Sequence, residues 1–317
     1  MTDNEKLSQL LFEDVNVTPE ELEQKYPQRN LPDGARVTRF APSPTGFLHI
    51  GGLFASMVAK LTADTTGGAF YLRIEDTDKT REVEGGIKFI VDGFKAFDIN
   101  FDEGMIGDSD WSGDFGPYIQ SKRLDIYKVY AKDMVAKGNA YPCFITEEEL
   151  EEIRKKQEEM GVRTGYYGNW AKWRDASLED IKKELETGKK FVIRLYSTGN
   201  IENSFKMNDL IKGNVTLREN DMDTVLLKSD GFPTYHFAHP IDDHLMQVTH
   251  ITRGDEWFAS LPLHVELFKK FGFELPQYCH FAPLMKLENE GKSKRKLSKR
   301  KDPEADMQYY IAHGYPK

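Results

Sequence analysis

Residues 38–52 read TRFAPSPTGFLHIGG, an apolar run passing through a Pro- and Gly-rich loop straight into a helix candidate. Unpaired backbone N–H groups at such a helix start favour an anion, and phosphate is the natural guest. Gly51 and Gly52 let a bulky nucleotide approach the backbone, His49 can donate to a phosphate oxygen, and Pro42 and Pro44 stiffen the approach. Read alone, a strand–glycine–helix junction is a weak signal, and a lone histidine is as readily structural. Far along the chain, Lys292–Lys301 reads KSKRKLSKRK, seven basic residues in ten with no acid between them. Such a run can neutralise charge building on a departing group, and equally it can be a solvated surface or a nuclear-localisation-like tract.

Three charged side chains close strand candidates: Arg39 ends the first, Glu75 ends the second in RIEDTD, and Arg253 ends a later one in ITRGDEW. Each alone is ordinarily a surface ion-pair partner. Together they fall on the carboxyl edge, where open α/β sheets bind ligands. A small dianion carrying one ammonium would need that set: cations for its carboxylates and an acid for its amine.

The elements that must position these groups alternate. Val37–Ala41 is a strand candidate, Leu48–Ala63 a helix, 69–75 a strand, and about 82–97 a helix with Val83, Ile87, Ile90, Val91 and Phe94 on one face. A glycine- and acid-rich loop and a helix over about 121–137 follow. Between about 140 and 233 the pattern loosens into a charged helix (TEEELEEIRKKQEEMG), a Tyr/Trp-rich turn region and short strands such as FVIRLY and TVLLKS, which we read as an insertion. Alternation resumes with a helix from PTYHFAH to Met246, the strand VTHITR, a helix over Trp257–Phe271 and the strand FAPLM. The expected fold is α/β, a parallel sheet split by the insertion. Its divisions are an N-terminal extension over 1–34, with a helix capped by Thr18 and Glu21, sheet halves over 35–119 and 234–272, the insertion over 120–233, and a last segment over 273–317.

Composition narrows the classes. With 39% hydrophobic residues, 20 Phe and 14 Tyr, the chain folds. Its two cysteines lie far apart and its N-terminus is acidic, without the features of a signal peptide, so a cytoplasmic protein without disulfides is expected. No apolar run approaches a bilayer span, so no membrane role is expected. The formal charge of −9 argues against indiscriminate DNA binding.

In order and spacing, the first string resembles the nucleotide-binding signature of class I aminoacyl-tRNA synthetases in its glutamyl branch, with Gly52 at the fourth position of the His-Ile-Gly-His form. Lys296-Leu297-Ser298-Lys299-Arg300 resembles their Lys-Met-Ser-Lys-Ser loop. PTYHFAHPIDDHLM resembles the family's PTYHLANVVDDHLM, with His239 where the commoner form has Asn. The resemblance runs from about Arg36 to Lys317. It implies a Rossmann-type doubly wound parallel sheet whose insertion is an α+β domain binding the acceptor end of tRNA. It further implies ATP-dependent activation of L-glutamate and transfer to the 3′ end of tRNA(Glu), with Mg2+ accompanying ATP. The tail DPEADMQYYIAHGYPK looks like the start of a stem-contact region, so a shortened catalytic body without anticodon-binding domains is expected, working as a monomer.

By the same resemblance, His49, Lys296 and Lys299 are catalytic. Ser43, Thr45, Gly46, Gly51, Gly52, Trp257 and Ser298 join them around ATP. Glu75 holds the amino group of glutamate, Arg253 its side-chain carboxylate, and Arg39 a carboxylate with Tyr235 beside it; Ala41, Ser43 and His239 complete that pocket. The relatives' Cys-x-Cys…Cys-x-His zinc site has only Tyr141-Pro142-Cys143 as counterpart, so no structural zinc and no metal ligands are expected. Tyr166, Tyr167, Trp170 and Trp173 suit either stacking on a terminal base, with Arg163, Lys172 and Arg174 on phosphates, or a packed aromatic minicore. Rival readings are a glutamyl-Q tRNA(Asp) synthetase-type paralogue, a glutaminyl-tRNA synthetase, which a cation at Arg253 disfavours, and a nucleotide-binding module without catalysis.

Overall fold

The computed structural model describes residues 1–45, 48–79, 82–288, 293–298 and 301–315. The chain opens with α1 (Asp3–Leu11) and α2 (Pro19–Glu23), each started by a capping box, Thr2 with Glu5 and Thr18 with Glu21. Helix α1 was not anticipated, although Thr2-x-x-Glu5 is the same signal as Thr18-x-x-Glu21. These helices are no loose appendage: Leu7, Phe12, Val15 and Leu22 are buried in one core with Tyr127, Tyr130 and Met134.

Strand β1 (Val37–Phe40) leads through the proline loop into α3 (Ile50–Asp64), then come β2 (Ala69–Leu72), α4 (Gly86–Ala96), β3 (Glu103–Met105) and the short β4 (Trp111–Ser112). Strands β1, β2 and β3 are parallel, with Val37 opposite Ala69 and Tyr71 opposite Glu103. β2 ends three residues before the expected strand does, because the chain turns there to pair Ile74 with Ile119 and to bond the Glu75 N–H to the Pro42 carbonyl at 3.0 Å. Helix α4 starts at Gly86 rather than near Glu82. Gly85 caps it at φ 70°, and a Cβ on Gly86 would sit 2.7 Å from the Pro44 carbonyl oxygen. Two glycines thus let the helix start abut the proline loop.

Next along the chain come α5 (Leu124–Ala136), β5 (Ala140–Cys143), α6 (Glu147–Glu159), α7 (Leu178–Glu186), β6 (Val192–Leu195), β7 (Ser204–Asp209), β8 (Gly213–Arg218) and β9 (Val225–Leu227). β5, β6 and β9 form a small antiparallel sheet. The β7–β8 hairpin, readable in the alternation of SFKMND but not anticipated, does not join that sheet.

Then follow α8 (Tyr235–Leu245), β10 (His250–Gly254), α9 (Leu261–Phe271), β11 (Gln277–Phe281), the hairpin β12 (Met285–Glu288) with β13 (Ser293–Lys296), and α10 (Met307–Ala312). The last parallel strand is QYCHF, not FAPLM: Tyr278 to Phe281 are the residues that bury. β10 and β11 are parallel. β10 lies beside β1, with the Thr249 N–H donating to the Val37 carbonyl at 3.1 Å, so the central order is β3-β2-β1-β10-β11. β7 adds beyond β11 through Asp209 opposite Tyr278. The chain leaves the sheet after one half and returns beside β1, which puts the topological switch point between β1 and β10.

Candidate active site

A cavity of about 1130 Å³ opens at the carboxyl ends of β1, β2 and β10. Arg39, Ala41, Ser43, Thr45, His49, Gly51, Gly52, Glu75, Tyr235, Arg253, Trp257 and Lys296 all line it. Residues near and far in sequence thus meet at one strand edge, as the strand-end argument requires. Ser298 does not line it, though its neighbour Leu297 does, and His239 is fully buried outside the lining. Gly46 and Lys299 lie outside the described residues. Gln120, Lys228 and Glu256, not anticipated, also line the cavity.

On the loop side, His49 is the N-cap of α3, and its Nδ1 accepts from the Gly51 N–H at 2.8 Å. That bond places the ring proton on Nε2, the nitrogen able to donate to a phosphate. A Cβ on Gly51 would lie 3.0 Å from His49 Nδ1, and one on Gly52 would lie 3.1 Å from the Leu48 side chain. The glycines therefore make room first for the loop's own side chains. Lys296, at the end of β13, reaches within 3.6 Å of Glu256.

Asp302 fastens β13 and Ser298 at the start of the lysine-rich signature. It accepts from Arg295 at 2.6 and 2.7 Å, from Lys286 at 3.0 Å and from the Ser298 N–H at 3.0 Å. Hydrogen bonds from Arg295 above all hold its carboxyl well below the usual range. Sequence reasoning passed over it, though it is the first acid after the basic run. Beyond it, Asp306 bridges to His49 across the backbone, which ties the segment after the lysine-rich run to the start of α3.

On the amino-acid side, Arg39 donates through Nε to both oxygens of Asp243 at 3.1 Å. Arg73, fully buried, reaches Asp243 at 2.7 Å and Glu75 at 3.0 Å. Burial pushes the Glu75 carboxyl up, while Arg73 and Arg39 pull the other way. Asp243 stays ionised: two guanidinium groups outweigh its burial. Neither Arg73 nor Asp243 was singled out, because nothing local marks them. His239 puts Nδ1 2.7 Å from Asp243 and stacks on Tyr235 with centroids 5.5 Å apart. Burial lowers its pKa to about 4, so the ring is neutral near pH 7.

Arg253 is held differently. Its Nε donates to His280 Nε2 at 2.8 Å and its Nη1 to His264 Nδ1 at 3.0 Å. Nη2 is buried, with no hydrogen-bond partner among the described residues. His280 in turn lies 2.7 Å from Asp209 through Nδ1, and His264 Nε2 lies 3.0 Å from His236 Nδ1. Burial depresses all three imidazoles.

Tyr166 and Trp173 are buried core residues, so half of that aromatic set packs inward. Arg163 pairs with Asp221, Lys172 with Glu149 and Arg174 with Asp223. Cys143 and Cys279 are both free and buried.

Residues 36–317 match the family model of the class I tRNA synthetases (E and Q), catalytic domain. A glutamate–tRNA ligase of Clostridium perfringens is 51% identical over 312 residues, covering 98% of this chain and 57% of its own length. One from Acetivibrio thermocellus is 51% identical over 314 residues, covering 99% and 57%. A crystal structure of a glutamate tRNA ligase from Elizabethkingia meningosepticum, in complex with its amino acid, superposes with a TM-score of 0.76 at 38% identity, covering 90% of this chain and 54% of that one. The chain thus spans a little over half the length of these relatives. Among the described residues, no helix is long and apolar enough to cross a membrane. With the doubly wound parallel sheet, the two loop signatures and the family match in agreement, the chain belongs to the class I tRNA synthetases of the glutamate and glutamine group, whose catalytic domain it contains.

Proposed function

We propose that this chain activates L-glutamate with ATP and passes the glutamyl group to the 3′ end of tRNA(Glu). The observation that carries this reading is Arg253, a buried cation lining the cavity that Glu75 also lines, with one guanidinium nitrogen that has no hydrogen-bond partner among the described residues. That pairing suits a ligand with a carboxylate at one end and an ammonium at the other. In the first step an oxygen of the α-carboxylate attacks the α-phosphorus, the bond to the β-phosphate breaks and pyrophosphate leaves. In the second the terminal ribose hydroxyl attacks the activated carbonyl, loses its proton and releases AMP. His49 Nε2 and Lys296, with Lys299, are placed in this reading on the phosphates, stabilising charge as it moves to pyrophosphate. Ser43, Thr45 and Trp257 frame the nucleotide; Arg39, Tyr235 and Glu75 orient the amino acid.

Magnesium fits this site as an ion carried by the nucleotide. Among the described residues no group of three His, Cys, Asp or Glu side chains converges, and Mg2+ commonly takes phosphate oxygens and water. On the same reading the protein works in the cytoplasm as a monomer, which light scattering checks. ATP–pyrophosphate exchange in the presence of tRNA(Glu) tests the function. Glutamate is expected to support exchange about 100-fold better than glutamine, and Lys296→Ala to abolish most of it. Exchange favouring glutamine would overturn the assignment. Mass spectrometry finding glutamate on an anticodon base rather than the 3′ end would transfer it to the paralogue.

A further inference from the structure

We infer that His264 and His280 are positioning residues that set the preference for glutamate over glutamine, by holding Arg253 between two uncharged acceptors. The inference rests on the reading that this site takes glutamate.

A buried guanidinium is costly, and the usual compensation is a carboxylate. The molecule uses that solution three times over: Arg39 and Arg73 meet Asp243, and Arg123 meets Asp242 at 2.7 Å. Around Arg253, among the described residues, the close partners are imidazole nitrogens instead. Guanidinium only donates, so both contacted nitrogens carry lone pairs. The second contact of each ring fixes that tautomer. Asp209 takes the proton side of His280, and His236 Nδ1 faces the proton side of His264. Asp209 is itself engaged by the backbone N–H groups of Ile211 at 3.0 Å and Lys212 at 2.9 Å.

The consequence is electrostatic. Arg253 lines the cavity and is fixed through Nε and Nη1 to uncharged rings, while its Nη2, buried, has no hydrogen-bond partner among the described residues. A carboxylate arriving there gains a charge-assisted bond in a site shielded from water. An amide offers only a neutral acceptor, and its NH2 group meets a donor. A carboxylate partner in place of either imidazole would hold Arg253 equally well and remove that difference. Selectivity then depends on the partners being bases without charge, as much as on the arginine.

The test compares three substitutions in ATP–pyrophosphate exchange with tRNA(Glu), run with glutamate and with glutamine. His264→Asn keeps an acceptor near the Nδ1 position and is expected to hold the ratio of kcat/KM values within a few-fold of the parent. His264→Asp is expected to raise the KM for glutamate and lower that ratio by about tenfold or more. His280→Met, which removes the other acceptor, is expected to raise the KM for glutamate while the KM for ATP stays put. Equal losses of kcat with both amino acids in the Asp and Met variants would mark a purely structural role and overturn the inference. So would an unchanged ratio in His264→Asp. Nitrogen-15 NMR of the histidines gives a readout without catalysis. At pH 7 His264 should show the Nε2–H tautomer and His280 the Nδ1–H tautomer, both neutral; an imidazolium at either overturns the inference. If the parent protein exchanges with neither amino acid while the NMR tautomers are as expected, the functional assignment fails and the arrangement around Arg253 stands.

Discussion

His239 presses its Nδ1 to within 2.7 Å of Asp243, and both side chains are fully shielded from solvent. A neutral imidazole is thus stored in a place that its protonated form could occupy only at a cost.

The sign of the resulting pH dependence follows. Burial takes His239 from an ordinary value of 6.5 to about 4, so between those limits the unfolded chain binds a proton that the folded chain does not. Stability is complete above pH 6.5 and is lost as pH falls toward 4, by about 3 kcal/mol from this residue. His236, His264 and His280 are depressed too and act in the same direction. Urea midpoints should drop between pH 7 and pH 4.5. His239→Asn, whose amide can still donate to Asp243, should make that drop shallower; an identical profile would show that the proton goes elsewhere.

Asp243→Asn should be far more damaging. Arg73 would keep Glu75, but Arg39 would lose the carboxylate it meets, leaving that buried charge uncompensated at about 3–5 kcal/mol. Equilibrium denaturation measures this directly, and the loss should exceed that of His239→Asn at pH 7.

Gly86→Ala tests the seat of the proline loop. A Cβ there would press on the Pro44 carbonyl from 2.7 Å, so either the loop or α4 must move. Helix propensity alone favours Ala by about 1 kcal/mol, which the clash opposes. The KM for ATP is expected to rise about fivefold, or roughly 1 kcal/mol, with the KM for glutamate little changed. Steady-state exchange at varied ATP separates the two.

Asp302→Asn should loosen β13 and the start of the lysine-rich signature, because their anchor loses charge against Arg295 and Lys286. The expected signature is a fall in the exchange kcat of about tenfold, accompanied by faster tryptic cleavage near Lys299. Unchanged proteolysis would remove the anchoring role.

What could be read from the chain divides along a physical line. The strand-end charges Arg39, Glu75 and Arg253 and the glycine-led helix start are legible because backbone geometry places them, whatever surrounds them. The fold class follows from the same alternation. Arg73, Asp243, His264, His280 and Asp302 are invisible by that route, since their meaning lies in partners brought together by tertiary packing, as Arg39 and Asp243 are. His239 illustrates the boundary. The resemblance puts it in the amino-acid pocket, while the structure stacks it, fully buried, on the cavity residue Tyr235 and beside Asp243. The β12–β13 hairpin reads as a mere charge run because its alternating lysines face solvent on an edge.

The pairing of Asp209 with Tyr278 also orders events in time. A chain made from its N-terminus completes the β7–β8 hairpin well before residues 277–281 exist, so β7 carries an open edge while α8, β10 and α9 emerge from the ribosome. Exposed Lys206, Lys212 and Arg218 along the hairpin guard that edge against pairing with a neighbouring chain. When β11 arrives, it pairs with the end of β7 at Asp209 and delivers His280 to that carboxylate in the same event, so completion of the sheet and readiness of Arg253 are a single step of maturation.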